Sequence, residues 1–214
     1  MTELTLLDGG PVDCPVRLML AHGAGAAMDS PFLDTFTAMM SALGIATTRF
    51  EFDYMAARRL SPKRKPPPKA ESLVQHYESA AELVRGRMTP SQRLFIGGKS
   101  MGGRVASMAA DRLFEAGLVS GLVCLGYPFH PPKTPDNLRT GHLGALSCPA
   151  LFVQGERDPL GNRAEVESMA LSSHIALHWA PDGDHDLGPR GASGFTRRGN
   201  LEAAANAVTR FMLA

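Results

Sequence analysis

LFIGGKSMGG, residues 94–103, is the stretch that decides how this chain folds. Its first four residues form a short apolar run ending in glycine, which is typical of a buried strand. Apolar residues then recur at helical spacing, at Val105, Met108, Ala109 and Leu113. Between strand and helix, residues 98–102 match G-x-S-x-G, the pattern of a serine held on a sharp turn. The stretch therefore predicts a strand, a tight turn carrying Ser100, and a helix.

The same alternation of apolar run and helical pattern extends along the whole chain. Strands are predicted at residues 16–21, 45–52, 94–97, 122–125, 150–153 and 175–179, and helices at residues 30–43, 73–84, 105–113, 163–170 and 201–212. The strands are continuous apolar runs, which indicates a mainly parallel sheet covered by helices on both faces. No linker divides the chain. We expect an α/β fold with residues 1–214 in a single domain.

Bulk composition excludes several classes of protein. The chain has 22 basic and 21 acidic residues, a net charge of +1, so no overall basic field favours nucleic acid or an anionic membrane. No apolar stretch approaches the ~18 residues of a membrane span, and no basic segment precedes an apolar run at the start. We expect an untargeted, soluble, cytoplasmic protein without nucleic-acid or membrane partners; the sequence leaves its oligomeric state open.

The cysteines indicate neither a disulfide framework nor a zinc site. Cys14, Cys124 and Cys148 are odd in number and show no C-x-x-C spacing. Reduced, buried thiols are the expected state.

Ser100 is the candidate nucleophile. A serine hydroxyl needs a base within hydrogen-bond reach and a third group that orients the base. In this fold the partners follow in the order acid, then histidine, on loops beyond later strands. Asp158 follows the strand at 150–153, and His185 follows the strand at 175–179. A glycine-rich turn that binds phosphate remains the alternative reading of the serine motif.

Other residues compete for these roles. Among seven histidines, His130 and His142 lie in a long loop and are the main competitors of His185, although both precede the expected acid. The competitors of Asp158 are Glu156, two residues away, and the acids that surround the histidine, Asp182, Asp184 and Asp186. The cluster Asp182, Asp184, His185 and Asp186 is alternatively a divalent metal site, because carboxylates and imidazole are suitable ligands. No zinc-type spacing supports a metal, and we expect none.

Acyl transfer also needs donors for the developing oxyanion. The Met101 N–H, directly after the nucleophile, is the first candidate. The turn at residues 22–26 ends an earlier strand and supplies the second, for which Ala24 is preferred over Gly25. Gly25 is assigned to the substrate-binding surface. A simple helix-entry loop is the alternative reading of this turn.

Four motifs follow one another over nearly the whole chain: HGAGA at 22–26, GGKSMGG at 97–103, GERD at 155–158 and GDHD at 183–186. In this combination the chain resembles the α/β-hydrolase superfamily, and more narrowly its small, lid-poor members, the dienelactone-hydrolase and carboxylesterase-like enzymes. It also resembles the hydrolase-type domain in one subunit of a nuclear histone-acetyltransferase complex. The resemblance implies a Ser100, Asp158, His185 triad, no cofactor, and hydrolysis of a small-molecule ester or related acyl substrate. Because the chain is shorter than most members, we expect no large cap domain.

Two further segments should flank the site, since ligands bind beyond the carboxyl ends of parallel strands. The first is the loop at residues 53–69, in which the stretch 58–69 is expected to form no regular element and holds four prolines and six cations. They either attract an acidic substrate or are simply solvated. Tyr127 and Phe129 are predicted to form an apolar wall for the substrate, with plain packing as the alternative. Lys99 is expected to be a surface or salt-bridged residue.

Two other classes of function stay open at this level. One is a catalytically silent hydrolase-shaped interaction module. The other is an acyltransferase, or an enzyme that cleaves a thioester, amide or lactone.

Overall fold

The fold is built on one seven-stranded sheet. A computed structural model describes residues 4–60 and 66–214. The strands are β1 (Leu6–Gly9), β2 (Val16–Ala21), β3 (Ala46–Phe50), β4 (Arg93–Lys99), β5 (Gly121–Leu125), β6 (Ala150–Gly155) and β7 (Ile175–Ala180). Their order across the sheet is β1-β3-β2-β4-β5-β6-β7. Every neighbouring pair is parallel except β1 with β3. The predicted mostly parallel α/β sheet is confirmed.

Helices cover both faces of this sheet, as predicted. They are α1 (Pro31–Ala42), α2 (Asp53–Leu60), α3 (Val74–Gly86), α4 (Met101–Glu115), α5 (Arg163–Glu167) and α6 (Arg197–Leu213). Short 3-10 turns span Ala70–Leu73 and Leu143–Ala145. Helices α1 and α6 pack on one face, and α3 and α4 pack on the other.

The central strands feed both cores because successive side chains of a strand point to opposite faces. In β5, Leu122 and Cys124 pack against α3 and α4, whereas Val123 and Leu125 pack on the side of α1 and α6. All four are fully buried. A strand buried on both faces has no position that faces water, and this is why the sequences of β2, β5 and β6 are mostly apolar runs. The three cysteines are buried and free, in agreement with the prediction.

The strand order reverses direction between β2 and β4. β3 lies on one side of β2 and β4 lies on the other. The connections that follow β2 and β4 therefore run in opposite directions across the sheet and leave a crevice between them. Ligands bind in open α/β sheets at such a switch point, beyond the carboxyl ends of the strands. The motifs at 22–26 and 97–103 both meet there.

Two local predictions were incomplete or wrong. β1 was not predicted, since it is only four residues long and mostly half-buried, which leaves a weak apolar pattern. Residues 53–69 were expected to be a loop without a regular element at 58–69; this was wrong for residues 53–60, which form α2, and it holds for residues 66–69. The first proline of that segment is Pro62, beyond the end of the helix, so no proline interrupts it. Lys63, Arg64 and Lys65 lie outside the described residues.

Tyr77 links α3 to the strand that carries the serine motif. Its fully buried hydroxyl donates to the Gly97 carbonyl oxygen at 2.7 Å and accepts the Gly97 N–H at 2.9 Å. Burial raises the pKa of this phenol well above its ordinary value, so it stays neutral. The bond fixes the last part of β4 against the helical layer.

We predict that Tyr77→Phe lowers the free energy of unfolding by about 1–3 kcal/mol, because it leaves two buried backbone groups without this partner. Denaturant unfolding would measure the change. Glu82→Gln on the exposed side of the same helix is the control, with little expected effect. Equal stability of Tyr77→Phe and the wild type would contradict the assigned role of the hydroxyl.

Candidate active site

Ser100 occupies a strained turn between β4 and α4. Its backbone angles are φ 53° and ψ −116°, a combination that a residue with a side chain rarely adopts. The Ser100 N–H donates to the Leu125 carbonyl oxygen of β5 at 3.0 Å, and the Ser100 carbonyl oxygen accepts the first helical bond from Arg104 N–H at 3.0 Å. The turn is therefore bonded to the sheet on one side and to the helix on the other. Strain of this kind persists only where the surrounding structure determines it.

Glycines on either side of Ser100 allow the turn to close. A Cβ atom on Gly98 would lie 2.5 Å from the Gly102 carbonyl carbon, and one on Gly102 would lie 2.5 Å from the Ala21 oxygen. Both neighbours are backbone atoms, which cannot move aside as a flexible side chain can. The sequence argument that side chains at 98 and 102 would clash therefore agrees with the geometry.

The structure brings together the three side chains that the sequence singled out. His185 Nε2 lies 2.9 Å from Ser100 Oγ, and His185 Nδ1 lies 2.8 Å from Asp158 Oδ2. The three residues follow β4, β6 and β7, so all reach the same edge of the sheet. About a quarter of the His185 side chain is exposed, at 25%, whereas Asp158 is fully buried. The imidazole thus stands between a buried carboxylate and an accessible hydroxyl.

Asp158 is held as a hydrogen-bond acceptor on both oxygens. Oδ1 accepts the Leu160 N–H at 2.8 Å, and Oδ2 accepts from Gln154 Nε2 at 2.9 Å as well as from the imidazole. Gln154 is fully buried and was missed by the sequence argument. The signal was there, since a polar residue near the end of an otherwise apolar strand needs a buried partner.

A second polar cluster joins the loop of the acid to the loop of the histidine. Arg157 donates through Nε to the Asp182 carbonyl oxygen at 3.0 Å and pairs with Asp182 Oδ1 at 2.8 Å. Glu156 accepts the Asp182 N–H at 2.9 Å, and Arg190 also pairs with Asp182. Hydrogen bonding to Arg190 is the main reason that the pKa of Asp182 falls to about 2. These contacts connect the two loops through groups adjacent to Asp158 and close to His185.

The competing residues have other partners. His130 lies 3.4 Å from Glu165, and His142 Nε2 lies 2.8 Å from Ser107 Oγ, so neither histidine contacts Ser100. Asp184 Oδ1 accepts the N–H groups of Asp186 and Gly188. Within residues 4–60 and 66–214, no three His, Cys, Asp or Glu side chains converge as metal ligands.

The turn after β2 lies against Ser100. A Cβ atom on Gly23 would lie 3.8 Å from Ser100 Cβ. His22, fully buried, holds the turn: its Nδ1 lies 2.6 Å from the Gly23 carbonyl oxygen, and its Nε2 accepts the Phe52 N–H at 3.2 Å. Because Nε2 is an acceptor, Nδ1 carries the proton. Burial lowers the pKa of His22, which favours this neutral form.

Two amide groups near Ser100 are free to donate. Met101 is the first residue of α4, where backbone N–H groups have no partner inside the helix. Neither the Met101 nor the Ala24 N–H makes a hydrogen bond to any other described group. The carbonyl oxygen of Gly23, in the same peptide group as the Ala24 N–H, is held by His22. Gly25 is exposed, with nothing within 4 Å of where a Cβ would be.

The predicted apolar wall of Tyr127 and Phe129 is corrected by the structure. Both side chains are fully buried and pack against each other, with ring centroids 4.9 Å apart, and against Phe152 of β6. The Tyr127 hydroxyl donates to the Arg139 carbonyl oxygen at 2.9 Å. Both rings therefore belong to the core and form no surface open to substrate. Packing against Phe152 removes more of their apolar area from water than a position on the wall of an open site would.

Two arginines of the basic segment, Arg58 and Arg59, make local contacts. Arg59 pairs with Glu51 at 2.6 Å and with Asp29 at 2.7 Å. Arg58 lies over the Tyr54 ring, 5.1 Å from its centroid, and donates to the Ala24 carbonyl oxygen at 3.2 Å. Helix α2 therefore packs onto the turn beside Ser100. In the part of the chain that the structure describes, no helix is both long and apolar enough to cross a membrane.

We predict that Gly102→Ala lowers the free energy of unfolding by about 1–3 kcal/mol, because the added methyl group meets the Ala21 backbone oxygen. Thermal or denaturant unfolding measures the change. Gly86→Ala is the matched control, since it lies in a helix where an added Cβ has nothing within 4 Å, and it should not destabilise. A neutral effect of Gly102→Ala would refute the close approach of α4 to β2.

Comparison with known proteins identifies the family. Solved structures with the same fold include a dienelactone hydrolase from Anabaena variabilis (TM-score 0.74, 21% identity, covering 98% of this chain and 91% of that one). Others are a serine hydrolase without lid from Xanthomonas campestris (0.66, 22%, 100% and 97%) and Est1E from Butyrivibrio proteoclasticus (0.68, 15%, 98% and 93%). The family model described as alpha/beta hydrolase domain matches residues 15–213. The chain therefore belongs to the α/β-hydrolase family.

Proposed function

We propose that this protein is a serine hydrolase that cleaves small esters or related acyl substrates through an acyl-enzyme on Ser100. The observation that carries the proposal is the continuous hydrogen-bond chain from Ser100 Oγ to His185 Nε2 at 2.9 Å and from Nδ1 to Asp158 at 2.8 Å. Folding alone does not require this chain of hydrogen bonds. Each of the three side chains could find a hydrogen-bond partner nearby without the free-energy cost of a strained, partly exposed turn.

The first half of the reaction forms the acyl-enzyme. Ser100 Oγ attacks the acyl carbon, and His185 Nε2 takes the hydroxyl proton. Asp158 keeps Nδ1 protonated and stabilises the imidazolium that forms. The Met101 and Ala24 N–H groups donate to the oxyanion, and this is where their lack of other partners matters. The imidazolium then donates its proton to the leaving group as the bond to the acyl carbon breaks.

Water completes the cycle. His185 takes a proton from a water molecule that attacks the acyl carbon of the ester on Ser100. The tetrahedral intermediate collapses, Ser100 Oγ regains a proton from the imidazolium, and the acid product leaves. Partial exposure of the His185 side chain supports access of water to this position. Every step uses groups of this chain, and the proposal includes no cofactor.

Ester or lactone substrates are favoured over other acyl compounds by the fold neighbours. One neighbour is a dienelactone hydrolase, and Est1E has been solved with ferulic acid bound. The pairing of Arg59 with two carboxylates weakens the idea that this arginine attracts an acidic substrate. We therefore propose small, neutral esters as the first class to test.

We predict that a fluorophosphonate probe labels the wild type and fails to label Ser100→Ala, because the probe reacts with an activated serine. In-gel fluorescence and intact mass measure the label. Ser107→Ala is the matched control: Ser107 also lies 2.8 Å from a histidine nitrogen, yet it is 2% exposed and belongs to the core. It should retain labelling, and label that persists in Ser100→Ala would reject Ser100 as nucleophile.

We predict that Asp158→Asn lowers kcat by about 10⁴-fold, because an amide at this position favours the wrong imidazole tautomer. Hydrolysis of p-nitrophenyl acetate or butyrate measures the effect. Asp184→Asn is the comparison, since this carboxylate accepts only loop N–H groups and should affect kcat far less. Absence of both turnover and labelling in the pure wild type would instead favour a catalytically silent module.

A further inference from the structure

Lys99 lies directly before the candidate nucleophile and is almost completely buried. Its exposed fraction is 7%, which is unusual for a lysine without a specific partner. Burial lowers the pKa of its ammonium group, and the nearby Asp186 carboxylate opposes that shift. A buried cation next to Ser100 needs an explanation that the reaction above does not use.

Among the residues that the structure describes, the Lys99 ammonium group has two polar contacts, and both are in the loop of the candidate base. Nζ donates to the His185 carbonyl oxygen at 2.9 Å and pairs with Asp186 Oδ1 at 3.1 Å. On its apolar side it lies 5.2 Å from the centroid of the Phe32 ring of α1. The residue that precedes the nucleophile in sequence thus binds the main chain of the base.

This contact spans strands that do not touch. Lys99 ends β4 and His185 follows β7, with β5 and β6 between them. In the described part of the chain, the bond from Lys99 is the only hydrogen bond that the main chain of His185 makes. The polar cluster around Asp182 holds the start of the loop, three residues earlier. Asp184 holds the loop on either side of His185 through bonds to Asp186, Leu187 and Gly188, and Lys99 adds the one bond to the His185 main chain itself.

A direct part in proton transfer does not fit these contacts. No hydrogen bond joins Nζ to Ser100 Oγ among the described atoms, and His185 Nε2 already occupies that hydroxyl. Asp186, with its side chain 52% exposed, is one partner of the ammonium and has no contact with the imidazole nitrogens. Lys99 acts through the main chain of His185, and its bond to that carbonyl oxygen is separate from its ion pair with the half-exposed Asp186.

We propose that Lys99 is a positioning residue that fixes the His185 main chain, so that Nε2 stays in line with Ser100 Oγ. This inference rests on the proposed serine hydrolase function. The inference adds a second residue to the control of the distance between base and nucleophile: Lys99 acts there together with the orienting acid Asp158. Small displacements there are costly: a shift of about 1 Å can lower turnover by about 10²-fold.

Lys99→Met, which keeps the length and the apolar stem but removes the donor, tests the proposal. Steady-state hydrolysis of p-nitrophenyl acetate should show kcat lowered by about 10–100-fold with KM changed by less than about threefold, because alignment rather than binding is lost. Asp186→Asn retains the Lys99 bond to His185, and its kcat should stay within about threefold of the wild type.

Matched controls separate positioning from general loss of structure. Leu113→Ala truncates a buried side chain in the last turn of α4, away from the site, and should lower stability without a comparable loss of kcat. A kcat of Lys99→Met within twofold of the wild type, or a loss carried by KM, overturns the proposal. So does a loss in Asp186→Asn as large as that in Lys99→Met, because the ion pair would then be the cause.

The proposed function is checked separately in the same assay. A wild type that neither turns over ester nor reacts with the fluorophosphonate rejects the serine hydrolase function, whatever the Lys99 variants do. If Lys99→Met does not fold, Lys99→Arg replaces it. Arginine keeps a cationic donor at this position, so its kcat should exceed one tenth of the wild-type value, and a lower kcat with unchanged KM and intact folding overturns the proposal.

Discussion

The approach of α4 to the carboxyl end of β2 is the constraint on which the rest of the site depends. Gly98 and Gly102 have no side chains, so the helix begins within van der Waals distance of the Ala21 and His22 backbones. Because of this contact, the chain turns sharply at Ser100, where φ is 53°. The helix then begins at Met101, whose N–H has no hydrogen-bond partner among the described groups. The contact also brings the turn at Gly23 beside the serine. One steric condition therefore sets both the hydroxyl and its candidate oxyanion donors.

The other half of the site is held by polar contacts between loops. The acid and the imidazole come from β6 and β7, and Arg157 and Glu156 tie their loops together through Asp182. Gln154 and the Leu160 N–H fix the carboxylate itself. Buried networks of this kind orient their members because each polar group left unpaired would cost free energy. The glycine contacts place the hydroxyl, and the contacts of Glu156 and Arg157 with Asp182 hold the loops of its partners together.

The same sequence motifs thus carry two kinds of information. Ser100, Asp158 and His185 are the candidate triad, and their order along the chain follows the family pattern. Four other charged residues look like surface charges in the sequence, yet each contacts the loops that carry the triad candidates. They are Lys99, Glu156, Arg157 and Asp182. A charged residue in or beside a motif can position the neighbouring residues of the site. Its contacts in the folded structure show whether it does so.

By itself, the sequence determined the α/β class, six of the seven strands and the order of the candidate site residues. It could do so because buried parallel strands read as apolar runs and because glycine is required where backbones meet. Tertiary structure alone decided that β1 adds an antiparallel edge, that Tyr127 and Phe129 belong to the core, and that Lys99 binds the loop of His185. Those outcomes depend on contacts between residues far apart in the chain. The local sequence pattern does not specify which distant group a side chain will contact.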